Sequence, residues 1–387
     1  MEPITDTESL QAAVDQLSKS NYITVDTEFQ RESTFWSILC LIQIASPDHC
    51  FLVDALAKDI DLRPFYDLMA DESIVKVFHA SRQDIEIVHH QAGIIPNPLF
   101  DTQVAAMVLG YGDSISYDAL VRKTVGAEID KAHRFTDWTR RPLSDAQLNY
   151  AIGDVTHLRG VYERLSRELI ETDRTHWVAE EMAILVDPAT YEAHPEDSWK
   201  RLKFRVKKPK QIAVLMEVSA WRESEAQRRD MPRRRVLKDE AIYEIAAQMP
   251  RSPEALEKLR SIGRGLARSG QGKSLIGAVE KGIARDPDTI PRPPRPPRPV
   301  EGVSATTDLL KVLCKKIAED NSVAQRVIAN VDDLEKIAFD DKADVPALSG
   351  WRRELFGEVA LSLKQGEIGL AVKSGKVAIV KTAGDGN

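Results

Sequence analysis

Tyr22-Ile23-Thr24-Val25-Asp26-Thr27-Glu28-Phe29 begins as a short β-branched, apolar run and carries two acidic residues two positions apart. Tyr22–Asp26 reads as a strand, with Asp26 and Glu28 at its end. The two-residue period of a strand puts both carboxylates on one face. Neighbouring carboxylates repel unless a cation neutralises them, and hard divalent cations such as Mg²⁺ favour oxygen ligands of this kind. Taken alone, an acidic strand end facing solvent explains the pattern more simply.

Outward from this stretch, Leu39–Ala45 (LCLIQIA), Cys50–Asp54 (CFLVD) and Ile74–Phe78 (IVKVF) read as further strands. Helical periodicity follows over Ser81–Gln91, Thr102–Leu109 and Tyr117–Thr124, and from Asp145 to about Ile170. Short apolar strands followed by helices predict a layered α/β domain.

Two more acidic positions complete a set. Asp84 follows a strand-to-helix turn, Phe78-His79-Ala80-Ser81-Arg82-Gln83-Asp84. Here Ser81 and Asp84 also fit an S-x-x-D helix cap that needs no chemistry. Ser144 and Gln147 resemble a capping box opening the long helix, in which Tyr150 and Asp154 stand four apart and share a face. Both lie at the edge of the stripe Leu148, Ala151, Ile152, Val155, Leu158, Val161, Leu165. That position suits a cleft lining, and equally a boundary tyrosine with a surface aspartate.

The totals set bounds. A chain of 387 residues implies two or three domains, and 43% hydrophobic with 29% charged residues is an ordinary globular mixture. The net charge of −7 excludes a generic polyanion binder, so any nucleic-acid contact must come from local basic patches. Three cysteines, Cys40, Cys50 and Cys314, form no C-x-x-C pair, which argues against a disulfide framework or structural zinc and fits a reducing cytoplasm. The N-terminal residues carry no export signal, and no apolar run is long enough to span a bilayer.

The composition turns basic after Glu192–Asp197, in Trp199–Lys210 (WKRLKFRVKKPK). The chain then reads as helical from Gln211 to about Gly282, with turn signals at Met231–Pro232, Met249–Pro250 and Ser261–Gly263. The run PRPPRPPRP between Ile290 and Val300 is a stiff polyproline spacer. Thr307–Ala318, Ala324–Ala329, Val331–Ala338 and Trp351–Gln365 are helical again, which suggests a duplicated module.

The order of the acidic motifs is specific: D-x-E on an early strand, Asp at a later strand-to-helix turn, then Y-x-x-x-D on a late helix. In this order the chain resembles the DEDD exonuclease superfamily, tyrosine branch. Asn149 stands where the histidine branch carries its histidine, and His79 belongs to the second motif, not the third. His89 and His90 read as structural or surface residues. Further stretches resemble the ribonuclease D family in particular: VDTEF with LCLIQIA, FHASRQDIEIV, Phe100-Asp101-Thr102-Gln103, and Asp130-Lys131 through Arg134-Phe135-Thr136-Asp137-Trp138 to Arg141-Pro142-Leu143. Ser37 departs from the family's pattern, where proline is expected. Val218-Ser219-Ala220-Trp221-Arg222-Glu223, Pro232 and Lys238-Asp239-Glu240-Ala241-Ile242 resemble the HRDC module.

The resemblance implies an α/β exonuclease domain, ribonuclease H-like with a mixed sheet flanked by helices, followed by two all-α helical-bundle HRDC-type domains. The expected layout is exonuclease 1–195, basic linker 196–206, HRDC 207–288, Pro/Arg linker 289–303, a second HRDC-like domain 304–376 and a tail 377–387. The implied activity is 3′→5′ exoribonuclease hydrolysis with two divalent ions, Mg²⁺ or Mn²⁺, releasing nucleoside 5′-monophosphates and trimming tRNA precursor 3′ ends. Asp26 would bridge the ions, Glu28 and Asp154 would hold the nucleophile-side ion, Asp84 would support the leaving-group side, and Tyr150 would orient the attacking water.

Phe29 and Trp36 are candidates to stack on terminal bases, although Trp36 equally suits a core. Lys131, Arg134 and Arg141 are candidate phosphate contacts, and Arg233, Arg234 and Arg235 candidate guides for structured RNA. The expected partner is RNA, with no membrane, a cytoplasmic setting and a monomeric state. The competing readings are a DNA-directed 3′→5′ exonuclease and a non-catalytic RNA-binding scaffold. The intact carboxylate set and Tyr150 weigh against the scaffold. The HRDC-type modules and the absence of a polymerase domain weigh against DNA.

Overall fold

A computed structural model of the chain describes residues 1–130, 136–202, 206–291 and 303–382. Two compact units emerge: Met1–Glu28 with Cys40–Thr190 and Arg298–Asn387, and Phe29–Leu39 with Tyr191–Pro297.

The first unit is built on a five-stranded sheet of β1 (Tyr22–Gln30), β2 (Ile38–Ala45), β3 (Cys50–Asp54), β4 (Val75–Phe78) and β5 (Leu99–Asp101), in the order β3-β2-β1-β4-β5. β1 and β4 run parallel, as do β4 and β5, while β2 and β3 pair antiparallel with Ile42 opposite Val53. Its helices are α1 (Thr7–Leu17), α2 (Arg63–Ala70), α3 (Arg82–Ala92), α4 (Thr102–Val108), α5 (Tyr117–Thr124), α6 (Asp145–Glu171) and α7 (Thr175–Leu185). The predicted mixed sheet flanked by helices is present. β2 is buried from Leu39 to Ala45, as its unbroken apolar run requires. β1 extends four residues past Asp26, so Glu28 lies inside the strand. The helices α1, α2 and α7 and the three-residue β5 were not among the expected elements.

The second unit is helical: α8 (Pro209–Arg228), α9 (Arg233–Val236), α10 (Asp239–Gln248), α11 (Pro253–Glu257), α12 (Arg264–Ala267) and α13 (Gly270–Ala284). Its core joins Ile212, Leu215 and Val218 of α8 to Ile242 and Ile245 of α10 and Leu275 and Val279 of α13. A Cβ at Gly282 would lie 2.6 Å from Val214 Cα, so α13 approaches α8 closely only because that residue is glycine. The described residues of the expected linker 196–206 do not form a free spacer. Pro195–Arg201 form a 3₁₀ helix packed on α8, and Leu202 and Val206 are buried in the helical core. Apolar residues spaced among the lysines and arginines supply that anchorage. Phe35, from the segment joining β1 and β2, belongs to the same core. Most of the expected proline–arginine spacer, residues 292–302, lies outside the described residues.

The C-terminal module of the first unit contains α14 (Val303–Asn321), α15 (Gln325–Ile328), α16 (Val331–Phe339), α17 (Gly350–Arg352) and α18 (Glu358–Lys364). It then forms a β hairpin of β6 (Ile368–Lys373) and β7 (Lys376–Lys381). The expectation of an all-α module ending at 376 with a tail from 377 is thereby corrected. Ser374-Gly375, both at positive φ, provide the two-residue turn that lets the apolar run fold back on itself.

This module packs against α7. Trp177 stacks on Trp351 with ring centroids 4.5 Å apart, and the Trp351 indole N–H donates to Glu181 at 3.1 Å. Arg352 pairs with Glu181 at 2.7 Å and donates to the Val327 carbonyl at 2.6 Å. Both partners of the ion pair are nearly buried. Replacing Arg352 with alanine leaves Glu181 charged and desolvated, a loss expected to cost about 3 kcal/mol. Urea unfolding of Arg352→Ala against the parent chain measures it, and the pair has no structural weight if the midpoints coincide.

Candidate active site

The site grows from the middle of the sheet. Thr24, Asp26 and Glu28 alternate onto one face of β1. The Thr24 hydroxyl donates to the Val155 carbonyl at 2.8 Å, which fixes α6 to the strand beside Asp26. The start of α6 is set by a true capping box between Ser144 and Gln147, as its sequence predicts. Nearly three turns later the helix delivers Asp154. Oxygen atoms of Asp26, Glu28 and Asp154 then lie within 4.8 Å of one another.

Asp84 reaches the same region from the β4–α3 turn. Ala80 sits there at φ +60°, a conformation that a β-carbon disfavours. Asp101 holds the turn: its carboxylate accepts from the Ala80 N–H at 3.1 Å, the Ser81 N–H at 2.8 Å and the Ser81 hydroxyl at 2.9 Å. The same carboxylate caps α4 through the Gln103 and Val104 N–H groups. Ser81 therefore makes no S-x-x-D cap with Asp84. Instead Asp84, 6% exposed, accepts from the Thr27 hydroxyl at 2.5 Å. The structure thus gathers Asp26, Glu28 and Asp154 tightly, with Asp84 joined to β1 through Thr27.

Confinement of so much negative charge is electrostatically costly. Burial, and next the Asp154 charge, push the Asp26 carboxyl up to about 8. Burial, and next Asp26, hold the Asp84 carboxyl well above the usual carboxylate range. A hard cation relieves this repulsion. All four donors are carboxylate oxygens, with neither thiol nor imidazole among them, so the set fits Mg²⁺ or Mn²⁺.

Tyr150 stands one turn before Asp154 and is hydrogen-bonded to it. Burial first, then Asp154, Glu28 and Asp26, raise its phenol, which disfavours the phenolate. Sequence reasoning missed Tyr117. Its hydroxyl donates to the carbonyls of Asp154 at 2.7 Å and Gly153 at 3.2 Å, bracing the turn that carries the Asp154 carboxylate. Only a contact across 37 positions discloses this role. His79, set aside as a ligand, packs 5.4 Å from the Tyr117 ring and contacts Thr102 through Nδ1 at 3.0 Å.

The expected RNA contacts fare unequally. Lys131 and Arg134 lie outside the described residues. Arg141 is engaged elsewhere: its guanidinium grips Asp54 at 2.6 and 2.7 Å and donates to the Cys40 carbonyl at 2.8 Å, which ties its loop to β2 and β3. Phe29 is half-buried in β1. Trp36 packs on the core of the helical unit, the reading that competed with base stacking. Arg233 pairs with Glu223 through two contacts of 2.5 and 2.6 Å and lies 4.3 Å from the Phe35 ring centroid, a structural pin. Arg234 and Arg235 are exposed.

Comparison with known proteins agrees with this geometry. A 3′-5′ exonuclease family model matches residues 1–170, and an HRDC domain model matches 211–279. The chain is 57% identical over 366 residues to ribonuclease D of Nitrobacter hamburgensis, covering 95% of this chain and 96% of that protein. The chain belongs to the ribonuclease D family. Ribonuclease D of Bartonella henselae is 47% identical over 367 residues, covering 95% of this chain and 90% of that protein. The crystal structure of Escherichia coli RNase D, described as an exoribonuclease involved in structured RNA processing, superposes with a TM-score of 0.82 at 28% identity. That match covers 94% of this chain and 98% of the other. The protein is accordingly a 3′→5′ exoribonuclease of the ribonuclease D type, with an exonuclease domain followed by an HRDC domain.

Two outcomes are expected of this site. Because the Asp26 carboxyl is raised in the folded chain, its stabilising contribution is complete below the ordinary carboxylate pKa of about 4 and is lost as pH rises through about 8. Thermal melts of EDTA-treated protein should therefore fall over this window, and Asp26→Asn or added Mn²⁺ should flatten the decline. Thr27→Val removes the hydroxyl donated to Asp84. A hydrogen bond to a charged group is worth about 1.5–3 kcal/mol, so exonuclease activity should drop roughly tenfold or more. Unchanged activity of a folded Thr27→Val chain would show that Asp84 needs no such support.

Proposed function

We propose that Asp26, Glu28, Asp84 and Asp154 hold two divalent cations, Mg²⁺ or Mn²⁺, for stepwise hydrolysis of RNA from the 3′ end. Asp26 is shared between the two positions, Glu28 and Asp154 serve the side of the attacking water, and Asp84 serves the leaving-group side. When bound, such ions supply a water reactive at neutral pH and stabilise the departing 3′ oxygen. Tyr150, kept protonated, donates a hydrogen bond that orients the water. Glu28 also contacts the terminal 3′-hydroxyl. Tyr117 and Thr27 act one layer out by holding Asp154 and Asp84 in place. The products are nucleoside 5′-monophosphates.

The observation that carries this reading is the approach of three carboxylates to within 4.8 Å. The RNA substrate follows from family membership, and trimming of tRNA precursor 3′ ends accords with the structured RNA processing described for the Escherichia coli protein. Arg234 and Arg235, exposed on the HRDC domain, are the basic residues of that run available to guide RNA. The C-terminal helical module is read as a second HRDC-type module elaborated by a hairpin. A monomer in a reducing cytoplasm fits the three free cysteines, and no helix among the described residues is long and apolar enough to cross a membrane.

The test is a 5′-labelled tRNA precursor with a 3′ tail, incubated with Mg²⁺, Mn²⁺ or EDTA, beside a DNA strand of matched sequence. The expected result is a metal-dependent ladder shortening from the 3′ end of the RNA. Asp26→Asn should lose more than the roughly 10–100-fold that removal of an outer-layer partner costs. RNA that is bound but never shortened under any metal condition would support the scaffold reading instead.

A further inference from the structure

The β6–β7 hairpin serves none of the catalytic chemistry. Among the described residues its strands pair only with each other. The register places Lys373 opposite Lys376, Ala371 opposite Ala378 and Gly369 opposite Val380 on one face. The other face carries Ile368, Leu370, Val372, Val377, Ile379 and Lys381, and through Leu370 it packs against the core of the C-terminal module. The face with Lys373 and Lys376 is therefore turned away from that core, and both lysines are exposed.

Two features of this face call for a ligand. Like charges directly opposite each other on a strand pair destabilise it unless an anion lies between them. Elsewhere in the module Lys311, Lys316, Lys336, Arg353 and Lys364 each pair with a carboxylate, whereas Arg326, Lys342 and Lys381 stand apart from one another without such a partner among the described residues. Among the described residues, Lys373 and Lys376 have no carboxylate within ion-pair distance. Behind the two ammonium groups the surface is made of Ala371, Ala378 and Gly369 with Val380, side chains that carry no charge and are mostly small. A chain of net charge −7 that handles RNA must attract it through such local basic features.

We infer that the Lys373/Lys376 face of the hairpin binds the phosphate backbone of the RNA substrate, as a contact separate from the cleavage chemistry. This rests on the reading of the chain as an RNA nuclease. The occupant is chosen by charge complementarity. A ribose-phosphate strand offers repeated anions to a lysine pair on a face whose other side chains are uncharged, whereas a second copy docked through the same face would bring like charges into contact.

The experiment measures binding of the full-length chain, in EDTA to prevent cleavage, to a 5′-labelled hairpin RNA with a 3′ tail across a salt series. Parent, Lys373→Gln/Lys376→Gln and Lys381→Gln are compared. Lys381 lies on the opposite face and is the internal control. Each phosphate contact contributes about 0.7–0.9 to the slope of log affinity against log salt. The double variant should therefore lower that slope by about 1–2 and weaken binding about three- to tenfold at low salt, while Lys381→Gln matches the parent. Turnover of a saturating short single-stranded oligoribonucleotide with Mn²⁺ should be the same in all three.

The inference is overturned if the double variant keeps the parent's slope and affinity. It is equally overturned if Lys381→Gln loses as much as the double variant. A changed sedimentation coefficient with intact RNA binding would make the face a protein contact and would also overturn it. If the parent itself neither binds nor shortens RNA, the proposed function fails and the inference fails with it. Failure of the double variant alone leaves the proposed function standing.

Discussion

The repulsion among Asp26, Glu28, Asp84 and Asp154 is the constraint around which the exonuclease domain is organised. Carboxylates at this spacing separate in water. Here they are held against that repulsion by neutral donors: Thr24 to the Val155 carbonyl, Tyr117 to the Asp154 carbonyl and Thr27 to the Asp84 carboxylate. Asp101, itself buried, supports the same end by gathering the backbone of the β4–α3 turn. A divalent cation bound among these carboxylates would relieve the stored repulsion.

That rigidity depends on the surrounding packing. β2 is buried along nearly its whole length beside β1, and Arg141 ties its loop to Asp54 and the Cys40 carbonyl. The C-terminal module reinforces the same unit: Trp351 and Arg352 meet Trp177 and Glu181 on α7. In both places an arginine first read as a phosphate contact or left unremarked proves to be a neutralising partner for a buried carboxylate. Arg233 repeats the pattern inside the helical unit, where Glu223 is fully buried. A positive run in a sequence is thus a poor guide to nucleic-acid contact until its acidic partners are known.

Legibility varied with the range of the interaction. The strands around Val25, Ile42, Val53 and Val77 and the start of α6 at Ser144 were readable because alternation and capping are local. The acidic quartet was readable because a family motif preserves its order. The roles of Thr27, Tyr117 and Asp101 were not readable, since each depends on a partner 20 to 57 positions away. The supposed linker at 196–206 misled because its lysines and arginines masked Leu202 and Val206. The last strand was taken for a tail because a short run ending in lysine looks like a solvated terminus until its turn is recognised.

The sequence by itself determined the class of fold, the chemistry of the donor atoms and the family, because periodicity, residue type and motif order are properties of the chain. Only the tertiary structure decided which groups face one another. It converted the Ser81–Asp84 cap into a Thr27–Asp84 hydrogen bond, withdrew Arg141, Arg233 and Trp36 into structural contacts, and placed Lys373 opposite Lys376 on an exposed face. The physical reason is that pairing and burial depend on distance in space, which residues far apart in the sequence acquire only through folding.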